Sequence, residues 1–254
     1  MTDEQLTTSN QDSSPKKELF RVEDFRILFF LVFLALCIRS SIVAPYEVPT
    51  ASMEPTIKVG DRIVANKLAY GFRVPFINYE VIRWGQVKRG EIIVFRFPMD
   101  PNLDFVKRVV AIAGDKVQIF NDRLYINGQP IERIDQEDRS ILDDVGDRAD
   151  IKDLYVEQID KHAFFVTQDT RNILTVRNRN WPHSGEPYLV PKEAVFVMGD
   201  NRDNSLDSRK WQHVPLVNVK GRAEFVIWSS KSSGGVLPDM RWSRVFKSLY
   251  GQTE

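Results

Sequence analysis

From Ile27 to Ile38 the chain is apolar without a break (ILFFLVFLALCI), and after Arg39, Ser40 and Ser41 the run resumes with Ile42, Val43 and Ala44. No other feature restricts the fold as much, because a helix written this way has no side to offer water. The uninterrupted stretch is shorter than the roughly 20 residues needed to cross a bilayer core. Taken over 25–44 it is long enough, with Arg26 and Arg39 reaching to opposite interfaces. A cleaved export signal fits poorly, since Pro45 directly follows Ala44. A buried core helix is the other alternative. The expectation is an uncleaved transmembrane anchor over 25–44. Lys16, Lys17, Arg21 and Arg26 lie on its N-terminal side, which keeps the polar tail 1–24 cytoplasmic and sends the rest of the chain outside.

A chain of 254 residues holds one large β domain or two smaller ones. Lys and Arg number 35 and Asp and Glu number 35, so no bulk charge draws the protein to nucleic acid. Cys37 is the single cysteine, which excludes an intrachain disulfide.

Beyond the anchor the pattern is short strands and turns. Strands are expected over 61–65, 91–97, 105–112, 117–120, 124–126, 188–190, 194–198 and 221–229, with Asn127-Gly128 as a hairpin turn. The stretch 131–160 carries eleven acidic and four basic residues with weak periodicity, and reads as a solvated surface insertion. The expected organisation is a mainly β, antiparallel domain split over 45–114 and 192–228, with a second β-rich region, 115–191, inserted. Residues 229–235 read as a linker. After it Trp242, Val245, Phe246 and Leu249 fall at helical spacing, with Arg241, Arg244 and Lys247 on another face, and predict a short basic amphipathic helix that either lies on a membrane surface or packs against the β domain. A second apolar stretch, Phe72 with Val74, Pro75, Phe76 and Ile77, is either a buried hairpin or a membrane contact.

Two residues in this frame suggest chemistry. Ser52 stands in a Pro-bounded loop, Pro49-Thr50-Ala51-Ser52-Met53-Glu54-Pro55, just past the anchor. Lys107 stands in Asp104-Phe105-Val106-Lys107-Arg108-Val109-Val110. Strand alternation puts Lys107 between Phe105 and Val109 on one face, and Arg108 between Val106 and Val110 on the other. Apolar neighbours strip water from a lysine and lower its pKa, and an amine so depressed can take the proton of a serine hydroxyl. The bland alternatives are a turn serine and a lysine that reaches solvent along its stem, with Arg108 as the buried cation. A third segment, Gly199-Asp200-Asn201-Arg202-Asp203-Asn204-Ser205-Leu206-Asp207-Ser208-Arg209, packs polar groups at the end of an apolar strand. Its spacing fails for calcium, with Ser205 where glycine is required, and no metal or other cofactor is expected. Asp207 and Arg209 read as a structural ion pair.

The Ser52 run, Gly60-Asp61, the Lys107 strand with Gly114-Asp115, and the Gly199–Arg209 box together resemble the bacterial type I signal peptidases. The resemblance covers the anchor through Trp228. It implies a single-pass protein of the plasma membrane whose β domain faces outward and cuts signal peptides from exported preproteins. Ser52 is then the nucleophile and Lys107 the general base; Thr50 assists the oxyanion hole, and Ser205 bonds the lysine amine. Asp200, Asp207 and Arg209 belong to the structural box. Val48, Met53 and Phe105 are candidate walls of shallow substrate pockets. Threonine and alanine replace the family's usual Ser-Gly before the nucleophile, there is one membrane run where some members have two, and a cysteine pair of some members is missing. The implied partners are signal peptides and membrane lipid, and no nucleic acid.

Three rivals are weighed against this reading. A Ser-His-Asp hydrolase would use His162, His183 or His213, but no G-x-S-x-G elbow occurs. A self-cleaving regulator sharing the dyad would need a nucleic-acid-binding domain. A membrane-tethered binding module would tolerate loss of Ser52 and Lys107.

Overall fold

The computed structural model describes residues 22–73, 80–143, 145, 151–169, 181–182, 185–231 and 239–251. It opens with helix α1 (Val22–Ser41), whose side chains from Phe25 to Leu36 are exposed on every side. Glu23, Asp24, Arg26 and Arg39 lie within it, and no helix among the described residues is long and apolar enough to cross a membrane. The helix ends at Ser41, three residues before the predicted end of the anchor. Val43 and Ala44 instead open strand β1 (Val43–Glu47), where they pair with Asn66 and Ala65 of β2 (Asp61–Asn66). Branched residues in this run satisfy a sheet as well as a helix, and the presence of β2 decides for the sheet.

The largest sheet is antiparallel along the order β1, β2, β16 (Val219–Lys231), β5 (Ile92–Phe97), β6 (Asp100–Ile112), β14 (Ala194–Met198), β15 (Val214–Pro215). β16 is irregular in register near Phe225 and Trp228, and bulges of this kind bend a strand. One long strand thereby pairs with β5, β2 and, at its end, β17 (Asp239–Met240). The sheet's middle is buried on both faces. Ile92 and Val94 of β5 pack with Met53, Ile57, Ile63 and Val226, while Ile93 and Phe95 pack with Val109, Val195 and Val197 on the opposite side.

Between the two halves of this sheet the chain builds smaller ones. β3 (Gly71–Arg73) pairs with β4 (Glu80–Arg83). β7 (Lys116–Phe120), β8 (Arg123–Ile126), β9 (Gln129–Pro130) and β13 (Tyr188–Leu189) make a four-stranded sheet. Asn121 and Asp122, then Asn127 and Gly128, turn its hairpins with positive φ, as short connections require. β10 (Glu132–Asp135), β11 (Lys152–Ile159) and β12 (His162–Asp169) make a three-stranded sheet. Phe164 and Val166 of β12 share a core with Phe196 and Met198 of β14.

The expected solvated insertion over 131–160 therefore contains two strands, and Lys152 and Glu157 within it are buried. Its acidic residues hide the pattern because Glu157 faces arginines rather than water: Arg133 at 2.7 Å and Arg202 at 2.5 Å. The C-terminus also differs from expectation. Residues 229–231 are strand, and among the described residues that follow, the segment expected to be an amphipathic helix holds a 3-10 turn at Trp242–Arg244 instead. Phe246 takes φ 61°, outside helical geometry, and its amide bonds Val226 O, so the segment straps onto β16. Most of the 72–77 stretch lies outside the described residues.

Candidate active site

β1 runs directly into the site. Past Glu47 the chain remains tied to β2 by Val48 N–H donating to Asp61 O at 3.0 Å, then Thr50 leads into a 3-10 turn, Ala51–Met53. Met53 and Ile57 are 1% and 0% exposed and plug this turn into the core under β2 and β5. The turn is closed by Glu54 N–H on Ala51 O at 3.2 Å. Ser52 therefore sits on a short, rigid element whose hydroxyl position is fixed by burial of its neighbours.

Lys107 reaches the same point from β6. Its Nζ lies 2.6 Å from Ser52 Oγ and 2.9 Å from Val106 O. Phe105 and Val109 pack in one core cluster while Val106 and Val110 pack in two others, as strand alternation requires. The amine is 4% exposed and stands 5.3 Å from the centre of the Phe105 ring. Burial pulls its pKa from 10.5 down to about 8; the carboxylates of Asp207 and Asp200 oppose the fall and Arg209 adds to it. Lys107 and Ser52 are thus joined in one hydrogen-bonded pair, with the amine held where it readily loses its proton.

Arg108, the next residue, is also buried but fully engaged. Its guanidinium grips Asp200 at 2.8 and 2.7 Å, donates to Gly90 O at 2.9 Å, and lies 3.9 Å from the Phe164 ring centre. Thr56 Oγ1 donates to Asp200 at 2.6 Å. The two adjacent cations therefore have different fates: Arg108 is neutralised by a carboxylate, and Lys107 has a hydroxyl and a carbonyl in that place.

The Gly199–Arg209 segment packs around the pair. Gly199 approaches so closely that a Cβ there would meet Ser205 Oγ at 2.3 Å and Ser52 O at 2.4 Å. Asp207 caps helix α2 (Ser208–Trp211), accepts from Gly199 N–H at 3.0 Å, and is held by Arg209 at 2.8 Å, so the structural ion pair expected there is present. Thr50 Oγ1 lies 3.3 Å from Ser52 Oγ. Ser205 departs from expectation. Its hydroxyl is buried beside Gly199 and makes no hydrogen bond of ordinary geometry, to Lys107 or to any other described residue, although it is near enough to Asp207 to help lower that carboxyl's pKa. Val106 O occupies the place on the amine that the sequence assigned to Ser205.

A cavity of about 420 Å³ opens over Ser52 and Lys107. Val48, Met53 and Phe105 line it as the sequence suggested, and Leu103, Val106 and Leu206 complete its apolar wall. No histidine lines it among the described residues. His213 bonds Tyr188 at 2.7 Å, His162 packs on Tyr250, and His183 lies outside the described residues. Asn201 is a contributor that the sequence did not single out. Its amide donates to Ser52 O at 3.2 Å and its Nδ2 to Ala51 O at 3.0 Å. It was legible only as one polar residue in a polar box. Chemically, the arrangement provides a hydroxyl, an amine within hydrogen-bond reach and an open, mostly apolar groove.

The family described as "Signal peptidase, peptidase S26" matches residues 21–228. Signal peptidase I of Pseudomonas aeruginosa is 36% identical over 226 residues, covering 84% of this chain and 74% of its own. Signal peptidase I of Rickettsia typhi is 31% identical over 271 residues, covering 96% and 100%. A crystal structure of a signal peptidase I from Enterococcus faecalis aligns at 26% identity with a TM-score of 0.32, covering 54% of this chain and 96% of that one. The protein is accordingly a peptidase. More narrowly, the chain belongs to the signal peptidase family, peptidase S26.

Proposed function

We propose that this peptidase removes N-terminal signal peptides from exported preproteins, with Ser52 as nucleophile and Lys107 as general base. The observation that carries the reading is the 2.6 Å approach of Lys107 Nζ to Ser52 Oγ, with the amine drawn down to about 8 by burial. The relatives named signal peptidase I supply the substrate class. Neutral Lys107 takes the Oγ proton as Oγ attacks the scissile carbonyl carbon. The oxyanion forms against the Ser52 backbone N–H and the Thr50 hydroxyl, two donors fixed before reaction. Lys107 then gives its proton to the departing amine, which releases the mature chain. Water attacks the remaining ester with Lys107 again as base and frees the signal peptide. Small side chains ahead of the cut, the usual export pattern, suit a groove walled by Val48, Met53 and Phe105.

The same reading makes α1 a membrane anchor. Its apolar residues point in every direction, which leaves no aqueous face. At 20 residues it is about 30 Å long; its charged residues leave too short an apolar run to cross by itself, so the reading requires its ends to lie in the interfaces. In its sequence Glu23, Asp24 and Arg26 fall near one end and Arg39 near the other. The basic residues ahead of it keep the N-terminus cytoplasmic and place Ser52 on the outer side of a plasma membrane. Signal peptides and lipid are the partners.

The test is cleavage of a preprotein by detergent-solubilised full-length chain, with the cut mapped by mass. Ser52→Ala and Lys107→Ala each abolish it, while His162→Ala, His183→Ala and His213→Ala combined leave it largely intact. Activity that survives Lys107→Ala and is lost with His213→Ala would replace the dyad by a triad.

A further inference from the structure

The turn that carries Ser52 is gripped by groups the mechanism does not use. Glu54, two residues on, is 4% exposed, and its backbone N–H closes the turn on Ala51 O. Its carboxylate faces Lys152 Nζ at 3.9 Å, with both side chains 5% exposed. The other groups acting on it are Lys58 and the Val59 N–H from its own loop and Arg241 from the C-terminal strap. Lys152 is the first residue of β11 and pairs with Asp169 of β12. Further along β12, Thr167 bridges to Asn201, which holds Ala51 O and Ser52 O. The three-stranded sheet therefore reaches the nucleophile turn twice, through Lys152 on one side and Thr167–Asn201 on the other.

A buried ion pair is a poor device for stability alone, because apolar residues of equal volume usually serve as well. It does fix geometry. We infer that Glu54 is a positioning residue, latched to Lys152 so that the inserted sheet sets the orientation of Ser52. This rests on the Ser52/Lys107 reading. If the Glu54 carboxylate loses its charge, the turn is freed at the residue that closes it. Ser52 Oγ then drifts from Lys107, and its N–H drifts from the oxyanion. Burial already raises the Glu54 carboxyl above its ordinary 4.5, and Lys152 is the strongest force holding it down. Loss of Lys152 lets the carboxyl take a proton closer to neutral pH.

The experiment uses full-length chain in detergent and a peptide preprotein with small residues before the cut, with Ser52→Ala as control. Misplaced reacting groups cost roughly 10–100-fold, so Glu54→Gln lowers kcat by at least about tenfold, with KM changed less than twofold. Where the parent's Glu54 is ionised its deficit relative to the parent is constant, and the rise of kcat/KM near pH 8 stays in place. Lys152→Met, which removes the other half of the pair, lowers kcat by a comparable factor from pH 6 to 9, again with KM changed less than twofold. The double variant is no worse than the worse single one. A folded Glu54→Gln with parental kcat, losses that multiply in the double variant, or a Lys152→Met with parental kcat overturns the latch. If Glu54→Gln does not fold, the kcat and KM of Lys152→Met decide. Cleavage by Ser52→Ala would instead bring down the dyad reading itself.

Discussion

At the scale of single residues, the proposed chemistry rests on leaving one buried cation without a carboxylate. Lys107 and Arg108 are neighbours on β6 and both are buried, yet Asp200 pairs with Arg108. The sequence showed both cations and could not say which would be compensated, because Asp200 is distant in the chain. Once Arg108 holds Asp200, Lys107 is left with burial as its largest influence. A depression from 10.5 to about 8 corresponds to roughly 3 kcal/mol against the charged form at neutral pH. Two outcomes follow. kcat/KM should rise about tenfold per pH unit up to about 8 and then level, because only the neutral amine accepts the Ser52 proton; a limb centred near 6.5 would point to histidine. For stability the sign is also set. Between about 8 and 10.5 the unfolded chain holds a proton that the native amine has lost, so this group's contribution to stability rises with pH. Lys107→Met should therefore be inactive yet about 1–3 kcal/mol more stable at pH 7, read from thermal unfolding of the two proteins side by side.

At the scale of elements, strands were legible and their partners were not. β2, β5, β14 and β16 fall where alternation and apolar runs place them, since each buries a face or both faces and its sequence carries that requirement. β11 and the C-terminal strap were hidden for a common reason: both are held by buried ion pairs, whose residues look like surface in a sequence. Arg244 illustrates this. It was read as the polar face of a helix, and it is 4% exposed, bound to Asp61 and to Thr56 O at 3.0 Å. Asp61 is 0% exposed and also accepts Ser229 Oγ at 2.6 Å. Arg244→Ala leaves that carboxylate buried without its cation, at a cost of about 3–5 kcal/mol. The expected outcome is a Tm lower by roughly 10 °C, whereas Trp242→Ala, at an exposed position, should shift Tm little. Equal Tm values for the two variants would mean that the strap contributes nothing to the fold. The site divides in the same way. Ser52, Lys107 and the groove residues Val48, Met53 and Phe105 were legible from local pattern and resemblance, while Asn201 and Glu54 matter through contacts that only the fold creates.

At the scale of the whole molecule, the proposed topology has a direct check. In spheroplasts of a bacterial host, added protease should digest everything beyond residue 45 and spare α1 with the N-terminal tail. A catalytic domain protected until lysis would reverse the orientation and remove the enzyme from its substrates. The join between helix and sheet matters here as well. Only Ile42 separates α1 from β1, and β1 is paired to β2 along its whole length. A strand advances about 3.3 Å per residue, so the five residues of β1 fix a step of roughly 17 Å between the end of the helix and the Ser52 loop. No flexible tether intervenes. If α1 is the proposed anchor, the enzyme is in this sense a depth gauge: where a preprotein is cut would be decided by how far its chain emerges as well as by the side chains it presents. Several Gly-Ser residues added after Ile42 should blur that setting before they harm the chemistry.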